Sequence, residues 1–248
     1  MRKPFLQVTG ATLRYPIGPH VSSSIKGTLF RLLGRGETMP AREYVTAFED
    51  VSFSARVGDR LGVIGRNGAG KSSLLRALAG IYPLQAGTIR VGGRVQGMFE
   101  MGLGFESEAT GRENIAYRGL VLGMDRAMVA SREADIIRFA EIGEFIDLPM
   151  RMYSAGMSSR LAFAIAAFLQ GDILLIDEVF GTGDAEFQLR ALARMREIVD
   201  NAGLVVFVSH DLPLIERFCT RVLWLDRGRL VKEGRTVEVK DAYLRSLR

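Results

Sequence analysis

The sequence is poor in cysteine and in long apolar runs. Its only cysteine, Cys219, leaves no possibility of a disulfide within the chain and suits a reducing compartment. No run approaches the roughly 18–20 apolar residues of a membrane-spanning helix, and the nearest candidate, residues 161–169, is far too short. The basic start is not followed by the apolar segment of a secretion signal, so we expect no signal peptide. Low-complexity segments and internal repeats are also absent from the sequence.

The net charge excludes few classes of function. The chain has a formal net charge of +5 and a pI of about 9.6. This excess permits contact with nucleic acid or with an anionic membrane surface, but it is modest and spread along the chain. With 248 residues, the chain is long enough for one sizeable α/β core with a lobe inserted into it. We therefore expect one domain spanning residues 1–248, which reaches any membrane mainly through a partner.

A glycine-rich loop between a predicted strand and a predicted helix is the most specific motif. The sequence Gly-Arg-Asn-Gly-Ala-Gly-Lys-Ser starts at Gly65 and fits the pattern G-x-x-x-x-G-K-[ST]. Its backbone N–H groups turn toward one point, where the following helix adds the positive end of its dipole. Lys71 supplies a charge for the β- and γ-phosphates, and Ser72 supplies a hydroxyl ligand for Mg²⁺. The motif predicts binding of ATP or GTP through Gly65, Asn67, Gly68, Ala69, Gly70, Lys71, Ser72 and Ser73.

A pair of carboxylates follows a second predicted strand. Residues 173–176 form a continuous apolar run, as expected for a parallel strand buried on both faces, and Asp177 and Glu178 come directly after it. Ligands of open α/β sheets gather at the carboxyl ends of the strands, which places these acids beside the glycine loop. We expect Asp177 to hold Mg²⁺ and Glu178 to orient or deprotonate the attacking water. The pair predicts hydrolysis of the nucleotide.

The remaining pattern predicts an α/β core that is interrupted by helices. Strand-like segments lie near residues 6–8 and 51–55, and a core unit runs over residues 61–92. Apolar residues at helical spacing follow over 115–122 and 134–145, after a capping-box pattern that starts at Thr110. Strands are again predicted over 173–176, 204–208 and 222–225. A helical lobe at about 97–155 is therefore inserted into the core.

A third motif lies shortly before the acidic strand. The segment Tyr-Ser-Ala-Gly-Met occupies residues 153–157. With it, the chain resembles over essentially its whole length the nucleotide-binding subunit of ABC transporters, whose signature at this place is usually written L-S-G-G-Q. The resemblance implies a P-loop NTPase (RecA-like) core, an inserted helical subdomain and an N-terminal antiparallel β portion. It also implies two copies paired head to tail, with Ser154 and Gly156 of one copy contacting the ATP of the other. The plainer interpretation of Ser154 is an ordinary N-cap.

Further positions match the same family. His210 follows a β-branched strand and lies where the family has a switch histidine that contacts the γ-phosphate. Residues 181–184 lie where the family has a loop that crosses the dimer interface. Tyr15 resembles the aromatic residue that stacks on adenine, and Tyr44 is its rival. The family usually has a glutamine where this chain has Glu100, a carboxylate that remains suitable for holding Mg²⁺ or water.

The sequence from Met98 to Ile115 narrows the resemblance, together with Arg66, the signature at residues 153–157 and residues 183–187. It is similar to ATPases that export bacterial O-antigen, capsule or teichoic acid. That similarity implies a separate permease dimer that handles the lipid-linked glycan, and a place on the cytoplasmic face of the inner membrane. A short permease helix would dock beside the position of Glu100. The apolar residues suited to line its groove, or to lie in the core, are Met98, Phe99, Met101, Leu103 and Phe105.

Residues 20–42 form an insertion before the glycine loop. Its apolar residues fall near one helical face with basic residues around them: Ile25, Leu29, Phe30, Leu32 and Leu33. Such a helix could lie at a membrane interface or gate a portal for lipid head groups. It could equally pack on its own domain, and Gly27 and Gly34 weaken the helix prediction. After His210, residues 211–248 suffice for a strand pair and a final helix, so we expect no additional glycan-binding domain.

Two other classes of function stay open from the sequence. A soluble ABC ATPase acting on nucleic acid is compatible with the basic pI. Such proteins typically carry two cassettes or a long coiled coil. This sequence shows neither feature, so we expect no nucleic-acid partner. A transporter that imports a nutrient or expels a drug is the other class. The block from Glu100 to Phe105 and the long insertion argue against it.

Overall fold

The computed structural model describes residues 3–17, 43–99, 104–168, 171–177 and 185–247. The strands are β1 (Phe5–Ile17), β2 (Glu43–Arg56), β3 (Arg60–Ile64), β4 (Ala86–Gly92), β5 (Val95–Met98), β6 (Ile173–Asp177), β7 (Leu204–Val208), β8 (Arg221–Asp226) and β9 (Arg229–Arg235). The helices are α1 (Lys71–Leu78), α2 (Gly111–Val121), α3 (Arg126–Ala140), α4 (Ala155–Ala167), α5 (Ala185–Asn201), α6 (Leu212–Phe218) and α7 (Thr236–Ser246). Two 3₁₀ helices, Gly143–Asp147 and Met150–Met152, lie between α3 and α4.

The main sheet has six strands in the order β5-β6-β7-β3-β8-β9, and only the pairing of β8 with β9 is antiparallel. Its central strands are buried on both faces. Along β6, Ile173 and Leu175 belong to one hydrophobic cluster, and Leu174 and Ile176 belong to the other. This alternation explains the continuous apolar sequence, because both faces of a parallel strand need apolar side chains. The carboxyl ends of β3, β6 and β7 consequently meet at one edge.

A small antiparallel sheet, in the order β2-β1-β4, covers one face of the main sheet together with α1. Both β1 and β2 are much longer than the strand segments predicted near residues 6–8 and 51–55, with 13 and 14 residues. Register shifts between Val8 and Arg14 interrupt their pairing. These bulges break the alternation of apolar and polar residues, which is why the sequence pattern underestimates both strands.

Helices α2 and α3 and the two 3₁₀ helices form a helical lobe between β5 and α4, on the opposite face from the small sheet. The predicted capping box is confirmed: the Thr110 hydroxyl accepts from the Glu113 N–H at 3.2 Å, and the Glu113 carboxylate accepts from the Thr110 N–H at 2.8 Å. The helical spacing noted over residues 134–145 corresponds to an α-helix only as far as Ala140, where α3 ends. Glu141 adopts a left-handed conformation (φ 48°), which stops the helix.

Other elements agree with their predictions. The three core strands predicted over residues 173–225 are β6, β7 and β8, and the predicted strand pair near Asp226 is the hairpin of β8 and β9. The sequence predicts a helix over about residues 158–169 after Ser154, and the structure starts this helix three residues earlier, at Ala155. The final helix begins at Thr236. In the described ranges no helix combines the length and the apolar character that crossing a bilayer requires. The insertion at residues 20–42 lies outside the described residues.

Candidate nucleotide-binding site

The glycine loop connects β3 to α1 in a conformation that requires glycine at two positions. Gly65 has φ 151°, and a Cβ atom there would lie 2.1 Å from the carbonyl oxygen of Leu225. Gly70 has φ 95°, and a Cβ atom there would lie 2.2 Å from the carbonyl oxygen of Ala47. The loop is therefore pressed against β8 on one side and β2 on the other. This fixes the backbone N–H groups at the start of α1.

Lys71 places a buried ammonium group over the same loop. The residue is only 7% exposed, and its Nζ donates to the carbonyl oxygens of Gly65 at 2.9 Å and Arg66 at 3.1 Å. A cation held above a glycine-lined turn at a helix N-terminus is the arrangement that suits phosphate groups. The residues present therefore fit the triphosphate of a nucleotide. Asn67 and Gly68, at the tip of the loop, are exposed.

A cavity of about 380 Å³ opens beside the loop and extends to the small sheet. Its lining consists of Tyr15, Val45, Thr46, Ala47, Asn67, Gly68, Ala69, Gly70, Lys71, Ser72 and Ser73. Tyr15 is half-buried; its hydroxyl donates to Oγ of Ser73 at 3.0 Å, and its ring meets Tyr82 edge to face at 5.6 Å. Tyr44 is half exposed and is not among the lining residues. The geometry thus favours Tyr15 over its rival as the aromatic residue of the site.

The acidic strand and the histidine strand end at the same edge of the main sheet. Asp177, the last residue of β6, pairs in register with Val208, the last residue of β7. Ser209 follows β7 and is buried, with its Oγ accepting from the Asp211 N–H at 3.0 Å, and His210 is exposed. Strand β3, which carries the glycine loop, is the other neighbour of β7. The fold therefore brings the loop, Asp177 and His210 to one edge.

The chain offers oxygen ligands for a divalent cation at this edge. Ser72 lies in the first turn of α1, and Asp177 ends β6. A hydroxyl and a carboxylate are the hard ligands that Mg²⁺ takes alongside phosphate oxygens and water. When bound, the ion would neutralise the charge that develops on the phosphates. Glu100, Glu178 and residues 181–184 lie outside the described residues.

Ser154 is the N-cap of α4, and its Oγ accepts from the Met157 N–H at 3.2 Å. Ser154 is exposed, and neither it nor Gly156 is among the lining residues of the loop cavity. Within one chain, the structure therefore does not bring the signature segment to the phosphate loop. Met98, a candidate for the docking groove, is 1% exposed and belongs to the core.

Three residues of β2, Val45, Thr46 and Ala47, line the cavity but were not found from the sequence. Val45 lies directly opposite Tyr15 in the register of β1 and β2. This pairing joins residues that are far apart in the sequence, and no local pattern signals it. A larger cleft of about 480 Å³ lies at the opposite edge of the main sheet, near Arg94 and Asp172, and contains no residue of the glycine loop.

Comparisons with known proteins agree with this geometry. The family model described as "ABC transporter" matches residues 48–181, which include the loop, the signature segment and the acidic strand. The chain is 38% identical to the O-antigen export system ATP-binding protein RfbB of Klebsiella pneumoniae over 99% of both chains. It is 44% identical to RfbE of Yersinia enterocolitica, which has the same description, over 90% of this chain and 95% of the relative. The teichoic acids export ATP-binding protein TagH of Bacillus anthracis is 36% identical over 81% of this chain and 36% of its own length.

Solved structures share the fold. The ATP-binding cassette MJ0796, in a dimeric post-hydrolysis state bound to ADP and Pi, superposes with a TM-score of 0.70 at 18% identity. The match covers 93% of this chain and 98% of the cassette. The predicted fold class, an ABC-type P-loop NTPase core, is therefore confirmed. The chain belongs to the ABC transporter family, and it is an ATPase that uses ATP and Mg²⁺.

Proposed function

We propose that this ATPase powers the export of a lipid-linked polysaccharide, of the O-antigen, capsule or teichoic-acid type, through a separate permease dimer. The observation that carries the proposal is the similarity to an O-antigen export ATP-binding protein along 99% of both chains. The similarity therefore extends over nearly the full length of both sequences. The similarity to the teichoic acid exporter supports the broader class of cargo, since it covers most of this chain. The glycan itself is handled mainly by the permease.

Each copy of the chain supplies most of the residues of one nucleotide site. The N–H groups of residues 65–73 and the Lys71 ammonium bind the phosphates, and Tyr15 stacks on the adenine. Ser72 and Asp177 hold Mg²⁺, with Glu100 as a further candidate. Glu178 orients or deprotonates the attacking water, and His210 contacts the γ-phosphate. The shared edge of β3, β6 and β7 supports this assignment for the described members of the set.

A second copy of the chain completes the site. Ser154 and Gly156 are placed at the exposed start of α4, outside the cavity of their own chain. The Ser154 hydroxyl and the N–H groups of the first turn of α4 are suitable donors to the γ-phosphate bound by the partner copy. A head-to-tail homodimer then has two equivalent sites, closes on ATP and reopens after hydrolysis. No nucleic-acid partner is part of this cycle.

The chain reaches the cytoplasmic face of the bacterial inner membrane through the permease. The helical lobe has exposed apolar side chains on one helix, since Tyr117 is 47% and Val121 84% exposed. Leu120, between them, is also exposed. Three apolar side chains close together on one solvent-facing helix are suited to a protein partner. We assign this face of α2, together with Phe105, whose ring packs on Arg118 of the same helix, to the docking of the permease. Phe99, the other described aromatic candidate, packs on the cluster at the opposite face of the main sheet.

The test is to identify what the chain binds in its native membranes. We would tag the Glu178→Gln variant, which is expected to bind ATP without hydrolysing it, and extract it with mild detergent. A Lys71→Ala variant, expected not to bind ATP, is the matched control. Recovery of a polytopic permease of a glycan-export system, with ATPase activity lost in both variants, supports the proposal. Recovery with a nutrient importer, or only with ribosomes or nucleic acid, overturns the export function and leaves the ATPase assignment intact.

A further inference from the structure

Arg118 is a buried guanidinium group in the helical lobe. It lies near the end of α2 on the helix face that also carries Gly111, Asn114 and Ile115. Residue 118 is only 7% exposed, and its Nε atom is buried without a hydrogen-bond partner. Throughout the described ranges, we find no ion pair and no side-chain hydrogen bond to its guanidinium. The ring of Phe105 packs on the guanidinium, with its centroid 5.0 Å from Cζ.

Two other arginines of the described residues have acidic partners. Arg112 pairs with Glu133 and Asp147, and Arg221 pairs with Asp59 and Glu233. Among the residues that the structure describes, Arg118 has no acidic partner, although it is more deeply buried than Arg112 and Arg221. An uncompensated buried charge is unfavourable, and a single ring contact offsets only part of that cost. Burial accordingly lowers the pKa of Arg118 from its ordinary value.

The carboxylates nearest to Arg118 in the sequence are engaged elsewhere. Glu113 completes the capping box with Thr110, Asp125 caps α3 by accepting from the Met128 N–H at 2.7 Å, and Glu108 pairs with Arg151. The exposed Gly104 is a neighbour of the guanidinium, because a Cβ atom at this glycine would lie 3.5 Å from Nη1 of Arg118. The guanidinium therefore lies beside an exposed glycine, which has no side chain of its own to block an approaching carboxylate.

We propose that Arg118 is the receptor for an acidic side chain on the cytosolic docking segment of the permease. This inference rests on the proposed function, and it names the contact that recognises the partner. Val121 lies one turn from Arg118 on the helix surface, and Tyr117 precedes it; both are exposed. An amphipathic segment would cover these two apolar side chains and direct its carboxylate to the guanidinium. The complementary charge then compensates the buried cation, and the pair is shielded from water.

The test compares Arg118→Met with Arg126→Met. Methionine keeps an unbranched apolar stem, so Arg118→Met removes the charge without leaving a large void. Arg126 is an exposed arginine of α3 in the same lobe, and its substitution makes the same change in net charge. Affinity would be measured between each purified chain and the permease that copurifies with the Glu178→Gln protein. The melting temperature and the ATPase rate of the free chain are recorded in parallel.

We expect Arg118→Met to weaken permease binding at least tenfold while the free chain keeps its ATPase rate and an equal or higher melting temperature. An arginine with a purely structural role would instead lower the melting temperature when replaced. Arg126→Met should leave all three readouts unchanged. Arg118→Glu should regain binding to a permease in which one acidic residue of a cytosolic segment is replaced by lysine.

Three results would overturn the inference. In the first, Arg118→Met binds the permease as tightly as the natural chain. In the second, the melting temperature and the ATPase rate of the free chain fall together with binding. In the third, Glu100→Gln reproduces every effect of Arg118→Met, so that the carboxylate belongs to the chain itself. If the natural chain itself binds no permease, the proposed function fails. If the natural chain binds the permease and Arg118→Met binds it equally well, only the inference about Arg118 fails.

Discussion

The hydroxyl of Tyr15 donates a hydrogen bond to Oγ of Ser73 at 3.0 Å, joining the small sheet to the helix that follows the phosphate loop. Tyr15 lies in β1, and Ser73 lies in the first turn of α1. Because the Ser73 oxygen accepts this bond, its own hydrogen stays available for donation to a phosphate oxygen. The surface for the base and the surface for the phosphates are thus connected by one contact between side chains.

Removing this bond should weaken ATP binding moderately. Tyr15→Phe keeps the ring and loses only the donor, and a neutral hydrogen bond contributes about 0.5–1.5 kcal/mol, so we expect an affinity about two- to tenfold lower. Tyr15→Ala also removes stacking on the base, so its loss should be larger. Titration with a fluorescent ATP analogue measures both. Tyr44→Phe is the control and should bind as the natural chain does; a loss with Tyr44→Phe but not with Tyr15→Phe would reverse the assignment.

Gly70→Ala should abolish tight ATP binding. The substitution puts a side chain on a residue whose backbone is left-handed, and the added Cβ collides with the Ala47 carbonyl oxygen, so the loop must shift. Gly80→Ala is the matched control, because Gly80 also has positive φ (75°) but has no atom within 4 Å of an added Cβ. We expect Gly80→Ala to cost about 1–2 kcal/mol of stability with ATP affinity kept. If Gly70→Ala bound ATP within twofold of the affinity of the natural chain, the close contact between Gly70 and Ala47 would not be needed for ATP binding.

Local patterns predicted the phosphate loop, the acidic strand and the N-cap of α4, because each depends on residues close together in the sequence. The pairing of Tyr15 with Val45 and the bond from Tyr15 to Ser73 were not predictable, since both depend on the register of long, bulged strands. The end of α3 at Ala140 was missed because apolar residues keep their helical spacing beyond it. The burial of Arg118 was also missed, because its sequence position points to the solvent. A charged residue at helical spacing indicates a solvated face, and its burial arises only from tertiary packing.

Asn114→Ala should destabilise the helical lobe strongly. Asn114 is fully buried; its Nδ2 donates to the carbonyl oxygens of Glu106 at 2.9 Å, Ala109 at 3.3 Å and Thr110 at 2.9 Å, and its Oδ1 accepts from the Glu106 N–H at 2.8 Å. The same segment holds the residues before Ser154, because Met150 N–H donates to the Ala109 carbonyl oxygen at 2.9 Å. Unsatisfied buried groups cost about 1–3 kcal/mol each, so we expect a loss of at least about 2 kcal/mol in urea unfolding.

The control for Asn114 is Asn201→Ala. Asn201 is exposed at the end of α5, where its Nδ2 donates to the Glu197 carbonyl oxygen at 2.8 Å. Water can replace this bond, and the free energy of unfolding should change by less than about 0.5 kcal/mol. If both variants unfold at the same urea concentration as the natural chain, Asn114 does not hold the segment between β5 and α2. The signature serine would then owe its position to other contacts.

Cys219 should make the stability of the chain fall at alkaline pH. Burial raises the pKa of its thiol from 9.0 to about 12, because the thiolate is disfavoured away from water. Between these values the unfolded chain has lost the proton that the folded chain keeps, so stability declines as the pH rises above about 9. Cys219→Ala lacks this component. Subtracting its urea-unfolding profile from that of the natural chain should leave a decline confined to this range, and thiol reagents should react with Cys219 only on unfolding. Rapid labelling of the folded chain at pH 8 would show the thiol to be accessible and contradict the raised pKa.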